Sequence, residues 1–301
     1  MRPEAGTGDE SLRRSAKGDR NAMSNPFLDA LRSPGGASVV ELRPPSLGLT
    51  GAQTMEAWID LHHQVRRLVR AGYFLFLTDN AVGAAEEENL AHLGANLAEE
   101  VDPARVIPFL TAKHTLDYCL LFAERAWARG FRALVVLGGD RSLGPPRCVP
   151  HAYELRARIR ERVPDLVLGG WANPHRAPAE QARYLADPAF GADFWLSQVV
   201  SHHSADRVEA LAREMRKAGV DAPGIFGVFF YRSPRSRTLD RLGEFFPVPA
   251  VELAREFEAG STPEEICVRT VRALREAGAR NLYFSNLALA TASRTLGRIL
   301  R

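Results

Sequence analysis

Short apolar runs alternate with longer amphipathic stretches along most of this chain. The runs are rich in Val, Leu, Ile and Phe, and they cover 38–42, 73–77, 106–110, 133–137, 166–170, 194–196, 224–229 and 282–284. They are nearly continuous rather than alternating with polar residues, which is typical of parallel strands that are buried on both faces. The pattern therefore predicts eight parallel strands.

The stretches between these runs predict helices over 55–70, 86–101, 116–129, 152–163, 178–185, 205–218 and 264–277, and a short helix precedes the first run at 25–31. Glycine just past the last turn of a helix can adopt the left-handed conformation that ends it. Four glycines stand at such positions: Gly72, Gly130, Gly219 and Gly278. Thr262, Pro263 and Glu265 form the pattern of a capping box, which predicts a helix start.

Eight strands that alternate with helices predict a (β/α)8 TIM barrel over residues 25–301. The rival is a doubly wound open sheet, which usually carries a glycine-rich phosphate turn after its first strand. Here the first run continues into Glu-Leu-Arg-Pro-Pro at 41–45, which is no such turn. Residues 1–24 are polar, charged and small, and we predict a disordered N-terminal tail there.

Composition narrows the class of protein. The chain has 301 residues, of which 46% are hydrophobic and 25% charged, as in ordinary globular proteins. Its three cysteines form no CxxC pair, so we expect reduced thiols and a cytoplasmic location. A net charge of +3 gives no argument for nucleic acid, and no apolar run is long enough for a membrane span. None of these features decides whether the chain forms homo-oligomers.

Polar residues follow every predicted strand. In a TIM barrel the active site lies at the carboxyl ends of the strands, where these residues would converge. Hydrogen-bonding groups of several types, with carboxylates among them, suit a polar heterocyclic ligand. The residues are Glu41, Thr78, Asp79, Thr111, Asp140, Asn173, His175, Gln198, Tyr231 and Asn286.

Three of these residues have the strongest case for chemistry. Glu41 is flanked by apolar residues, which can raise the pKa of a carboxyl and make it a general acid; the alternative is a pair with an arginine such as Arg43. Asp140 follows two glycines that would let a ligand approach the backbone, or it caps a tight turn. Gln198 ends an apolar run, and its alternative is a buried hydrogen bond to a loop.

Several short motifs, taken together and in order, resemble those of the methylenetetrahydrofolate reductase family. The resemblance extends over residues 38–300, and no single motif in it is specific. The motifs are VVELRPP at 39–45, PFLT at 108–111, LGGD at 137–140, WANPH at 171–175, the segment 192–198, PGI at 223–225 and YFSN at 283–286.

The resemblance implies an oxidoreductase that acts on CH–NH donors in one-carbon metabolism. NAD(P)H would be the electron donor, FAD the bound flavin, and 5,10-methylenetetrahydrofolate or a related pterin the substrate. By motif, Glu41 would protonate the folate nitrogen and open the five-membered ring to an iminium, with Asp140 as the second catalytic residue. Gln198, Tyr231 and Asn286 would bind the substrate.

The same resemblance assigns the cofactor contacts and shows where the chain departs from the family. The flavin contacts would be Thr78, Thr111, Gly139, Asp140 and His175. The family usually has other residue types, most of them basic, at four positions that are here Phe109, Gly138, Asp187 and Leu287. These departures keep four alternatives open: direct hydride transfer from a nicotinamide, a different flavin or deazaflavin, a non-catalytic or regulatory pterin-binding barrel, and a C1-carrier methyltransferase barrel.

Two further groups of residues are given simple interpretations. The histidine pairs at 62–63 and 202–203 have no partners at ligand spacing in the sequence, so we predict surface or capping roles and no metal site. Arg232, Arg235 and Arg237 form a basic loop that is either solvated or a site for a cofactor phosphate or the glutamate tail of a folate.

Overall fold

The computed structural model describes residues 25–79, 100–140 and 144–301. The predicted tail at 1–24 and nearly all of the predicted helix at 86–101 lie outside these residues.

Eight parallel strands form a closed barrel, and each strand pairs with the next one along the chain. Strand β1 also pairs with β8, so the sheet has no edge, and the open doubly wound alternative is excluded. The predicted TIM barrel is confirmed. The strands are β1 Ser38–Leu42, β2 Phe74–Leu77, β3 Val106–Thr111, β4 Ala133–Leu137, β5 Val167–Ala172, β6 Phe194–Val200, β7 Gly224–Phe229 and β8 Asn281–Ser285.

Helices pack around this barrel, and in the described segments none has the length and apolar character needed to cross a membrane. The six predicted helices that can be compared in full, and the short helix before β1, are present with small shifts of their ends. Three others, at 236–243, 250–258 and 292–299, were not predicted, although their apolar residues do follow a helical period. The helices are α1 Pro26–Arg32, α2 Gly51–Arg70, α3 Leu116–Ala128, α4 Ala152–Arg162, α5 Pro178–Ala186, α6 Ala205–Lys217, α7 Ser236–Gly243, α8 Ala250–Glu258, α9 Pro263–Glu276 and α10 Ala292–Ile299.

The predicted helix ends are confirmed in detail. Gly72, Gly130, Gly219 and Gly278 all have positive φ angles, between 67° and 94°. At the start of α9 the Thr262 hydroxyl accepts a hydrogen bond from the Glu265 N–H at 3.2 Å, and the Glu265 carboxylate accepts one from the Thr262 N–H at 2.8 Å. These contacts satisfy donors that the first helical turn leaves unpaired.

The barrel strands divide their side chains between two apolar cores. One core fills the barrel interior and includes Val39, Phe76 and Leu196. The other lies between the strands and the surrounding helices and includes Val40 and Leu75. Because both faces of every strand are apolar, the runs in the sequence are nearly continuous.

Helix α1 closes the amino-terminal end of the barrel. The Phe27 side chain is fully buried, and its ring centroid lies 5.1 Å from those of Phe74 and Phe194, the first residues of β2 and β6. The Asn25 side chain caps the helix and donates to the Arg132 carbonyl at 2.9 Å. A ligand can therefore reach the interior only from the carboxyl end of the strands.

We expect Phe27→Ala to lower the free energy of unfolding by about 3–5 kcal/mol, because it leaves a cavity beneath the strands. Urea denaturation followed by circular dichroism measures this change. Leu47→Ala is the control, since Leu47 is 54% exposed, and its effect should stay within about 0.5 kcal/mol. A Phe27 variant as stable as the control would contradict the closing role of this ring.

Candidate functional site

A cavity of about 1060 Å³ opens at the carboxyl end of the barrel. It is at the upper end of the range for small-molecule sites, which is roughly 300–1,000 Å³. Glu41, Asp140 and Gln198, which are far apart in the sequence, line this one cavity. The other predicted site residues that line it are Thr78, Asp79, Thr111, Gly139, Asn173 and Asn286.

Glu41 points into the barrel from β1 and is held by the neighbouring strand β8. The Ser285 hydroxyl donates a hydrogen bond of 2.6 Å to Glu41 Oε1. Burial raises the pKa of Glu41 above its ordinary value, and the Ser285 hydrogen bond and the positive charge of Arg43 oppose this shift only in part. A raised pKa favours the protonated form of the carboxyl, which is the form that can donate a proton to a bound ligand.

Gln198 enters the cavity from β6, beside a β-bulge. The register between β6 and β7 shifts between Leu196 and Val199, so that Leu196, Gln198 and Val199 all line the cavity. The Ser197 hydroxyl accepts from the Gly227 N–H at 3.1 Å, and the Ser197 carbonyl accepts from the Tyr283 hydroxyl at 2.8 Å. Bulges often redirect side chains beside active sites. Strand β6 therefore extends to Val200. The predicted run ended at residue 196 because the polar residues Ser197 and Gln198 interrupt the apolar pattern there.

The side-chain amide of Gln198 has a defined orientation within the bulge. Its Oε1 accepts a hydrogen bond of 3.0 Å from the Val199 N–H. This contact leaves the NH2 group of Gln198 as a hydrogen-bond donor for a ligand.

Asp79 links the ends of β2 and β3 at the rim of the cavity. Its carboxylate accepts hydrogen bonds from the N–H and the hydroxyl of Thr111, at 2.8 and 2.9 Å. His114 Nε2 lies 2.9 Å from the same carboxylate, and the His114 ring stacks on Tyr118 with centroids 4.5 Å apart. His114 was not among the site residues predicted from the sequence, although it lies three residues after Thr111, the last residue of β3.

The two glycines before Asp140 lie against side chains of the protein itself. A Cβ atom at Gly138 would lie 2.6 Å from the guanidinium carbon of Arg147, the flexible end of that side chain. Arg147 also donates a hydrogen bond to the Gly139 carbonyl. Gly139 has a φ of 73°, which favours glycine whether or not a ligand is close. Asp140 follows this turn at the exposed rim of the cavity.

Arginines from several parts of the barrel line the cavity. Arg156 is 1% exposed and donates to the carbonyls of Phe190, at 2.6 and 2.9 Å, and Val136, at 3.1 Å. Burial lowers the pKa of Arg156, but a guanidinium stays protonated in proteins. Among the described lining residues, five arginines face three carboxylates, which favours an anionic ligand. The arginines are Arg43, Arg147, Arg156, Arg176 and Arg241.

Aromatic rings supply much of the remaining lining. Rings of this kind stack on flat heterocycles and exclude water from them. Those that line the cavity are Phe109, Trp171, Tyr184, Phe229, Phe245, Phe246 and Tyr283.

Two predicted site residues do not line the cavity. His175 Nε2 lies 2.8 Å from the Val199 carbonyl, so the ring supports the β6 bulge from behind. Tyr231 is buried against Phe229, with ring centroids 5.0 Å apart, and Phe229 is the ring that lines the cavity. The predicted direct contacts of His175 and Tyr231 with a ligand are therefore replaced by supporting contacts.

Two of the departures from the reductase motifs also lie away from the cavity lining. Asp187 is exposed and caps a short turn by accepting a hydrogen bond from the Ala189 N–H at 2.8 Å. Leu287 is buried in the core between strands and helices. Neither side chain is placed to repel a ligand in the cavity.

Comparison with known proteins supports the fold but assigns the chain to no family. No protein-family model and no curated sequence match this chain. Among solved structures, a Clostridium thermocellum protein that binds two copies of 5-methyl-5,6,7,8-tetrahydrofolic acid is similar, with a TM-score of 0.64 and 15% identity over 88% of this chain and 94% of that one. For 2,3-dimethylmalate lyase, a PEP mutase/isocitrate lyase superfamily member, the TM-score is 0.48, with 16% identity over 89% of this chain and 83% of that one.

Glu41 should make stability depend on pH in a defined direction. Because burial raises its pKa, the folded protein keeps this proton above pH 4.5, where the unfolded chain releases it, and the wild type loses stability as the pH rises through that window. Glu41→Gln cannot titrate and still accepts from Ser285. We expect its free energy of unfolding, relative to wild type, to increase with pH by about 1.4 kcal/mol for each unit of pKa shift.

Denaturant titrations between pH 4 and pH 8 measure this difference. Glu258→Gln, on the exposed side of α8, controls for the loss of one negative charge. Parallel pH profiles for wild type and Glu41→Gln would contradict the buried proton.

Proposed function

We propose that the cavity binds a reduced one-carbon folate and that the protein reduces the carbon group which the folate carries. The observation that carries this proposal is the position of Glu41, a carboxyl of raised pKa that Ser285 holds in a cavity lined by aromatic rings and arginines. Folate binding by the similar barrel of Clostridium thermocellum supports the ligand class.

The cavity complements the separate parts of a folate. The pterin is a flat ring with N–H donors at one edge, which suit the Asp140 carboxylate, while the Gln198 amide can donate to its ring nitrogens or carbonyl oxygen. Phe229 and Trp171 provide apolar surfaces for the ring. Arginines on the wall, Arg176 and others, suit the carboxylates of the glutamate tail.

The proposed reaction uses one proton and one hydride. Glu41 donates its proton to the folate nitrogen, and the bond from that nitrogen to the bridging carbon breaks. The five-membered ring opens, and the carbon remains on the other nitrogen as an iminium. Hydride then adds to the iminium carbon and gives the methyl form. The step needs Glu41 protonated, and the Ser285 hydrogen bond keeps the carboxyl in position.

The lining residues also fit a flavin in most respects. Thr78, Thr111 and Gly139 line the cavity, and the Arg147 guanidinium lies against Gly138, where the reductase motif has an arginine of its own. The arginines that line the cavity suit the diphosphate group of a flavin such as FAD. A bound flavin would pass hydride from NAD(P)H to the substrate. His175 is the predicted contact that does not fit, because it is turned toward Val199.

A second candidate function is folate binding without turnover. Two observations favour it: His175 contacts the β6 backbone rather than the cavity, and Phe109 stands where the reductase motif has a histidine. A pterin site would then persist beside an eroded flavin site. A third candidate function is transfer of the C1 group to another molecule, which needs neither NAD(P)H nor a flavin.

We expect the full-length protein to bind 5-methyltetrahydrofolate in calorimetric titrations and to oxidise NAD(P)H when 5,10-methylenetetrahydrofolate and FAD are supplied. Glu41→Gln should lower kcat for folate reduction by about 10²–10⁴-fold, because it removes the general acid. Its affinity for 5-methyltetrahydrofolate and its rate of flavin reduction by NAD(P)H should stay near wild type.

The matched control is Glu258→Gln, which should leave both the binding and the rate unchanged. An absorbance spectrum of the freshly purified protein reports any bound flavin directly. Tight folate binding with no turnover from any donor would select the binding function, and methyl transfer without nicotinamide or flavin would select the third. Absence of folate binding would overturn the proposal.

A further inference from the structure

A second cluster of chemically active side chains lies outside the cavity. His202 and His203 begin the loop that follows β6, and Glu256 extends from α8 to meet them. Glu256 Oε1 lies 2.9 Å from Nε2 of His202 and 2.7 Å from Nε2 of His203. The sequence places no partner at ligand spacing from this histidine pair, but the fold brings Glu256 to it. The carboxylate comes from a helix more than fifty residues further along the chain.

The three ligand atoms have the spacing of a metal site. They all lie within 4.8 Å of one another. A Zn²⁺ ion with bonds of about 2.0–2.1 Å to nitrogen and oxygen in tetrahedral geometry holds such atoms roughly 3.3 Å apart. The cluster reaches this spacing by small side-chain movements, since the two histidine–carboxylate distances need to grow by only a few tenths of an ångström.

Neighbouring groups orient the ligands. Nδ1 of His202 lies 2.9 Å from the hydroxyl of the buried Thr270, and when Nδ1 donates there the Nε2 lone pair faces Glu256. Arg269 donates to Glu256 Oε2 through its Nε at 2.9 Å and through Nη2. Oε1 is thereby turned toward the histidines. Outer contacts of this kind are a regular feature of metal sites.

The chemistry of the donors narrows the ion. Two imidazole nitrogens and one carboxylate oxygen suit Zn²⁺ and the neighbouring transition metals better than Mg²⁺ or Ca²⁺, which prefer oxygen ligands. Three protein ligands leave a fourth position open to water. Because Arg269 already offsets the charge of Glu256, we expect moderate affinity, in the micromolar range, rather than the tight binding of a thiolate site.

We propose that His202, His203 and Glu256 form a binding site for Zn²⁺ or a similar transition metal, independent of the folate cavity. The ion would join the loop after β6 to α8. The same loop begins four residues after Gln198, and α8 follows the α7 segment whose Thr238, Arg241 and Leu242 line the cavity. A bound ion would therefore stabilise one wall of the cavity without contacting its ligand.

Titration of the EDTA-treated full-length protein with ZnCl2, followed by calorimetry, tests this site. We expect one ion per chain, and His202→Ala, His203→Ala and Glu256→Gln should each weaken binding by at least tenfold. Two matched controls should bind Zn²⁺ like wild type: His63→Ala, from the other adjacent histidine pair, and Glu258→Gln, from the same helix as Glu256. Saturating Zn²⁺ should raise the Tm of wild type and controls only.

Co²⁺ provides a second measurement, because four-coordinate Co²⁺ absorbs visible light much more strongly than the hydrated ion. His203 is exposed, so His203→Ala should fold normally and can decide the question even if Glu256→Gln is destabilised. Zn²⁺ binding that is absent in wild type, or that is equally strong in His203→Ala, would overturn the site and leave the cluster as an ion-pair network. This outcome is separate from folate binding, which is measured without metal.

Discussion

Closure of the barrel between β1 and β8 is the constraint on which the site depends. The pairing of the first and last strands brings Ser285 to Glu41, across 244 residues of sequence, and places a carboxyl inside the barrel. An open sheet with the same strands would leave Glu41 on an edge strand and more exposed to water. The raised pKa of this one group is thus a property of the closed topology rather than of the local sequence.

The fold could be predicted from the sequence because the patterns that define its strands and helix ends are local. Each strand is apolar on both faces, and each helix end carries its own signal, such as Gly130 or the Thr262 cap. The candidate site was predictable only in part. Strand ends point to Glu41, Asp140 and Gln198, but no local pattern shows that the His175 ring turns away from the cavity.

What the sequence could not show are contacts made between distant segments. Arg147 places its guanidinium against Gly138 from the following loop, a contact that the residues around Gly138 do not indicate. In the same way, a histidine pair without a partner nearby in the chain meets Glu256 through the packing of α8. In both cases the charged neighbour of a residue becomes known only when the fold is known.

Helix α1 has a consequence for how the chain assembles during its synthesis. Phe27 is made early, but one of the rings that it packs against, Phe194, belongs to the sixth strand. On the ribosome the base of the barrel cannot be sealed until most of the polypeptide has emerged. Until then the helix and its phenylalanine cannot be buried as they are in the complete barrel.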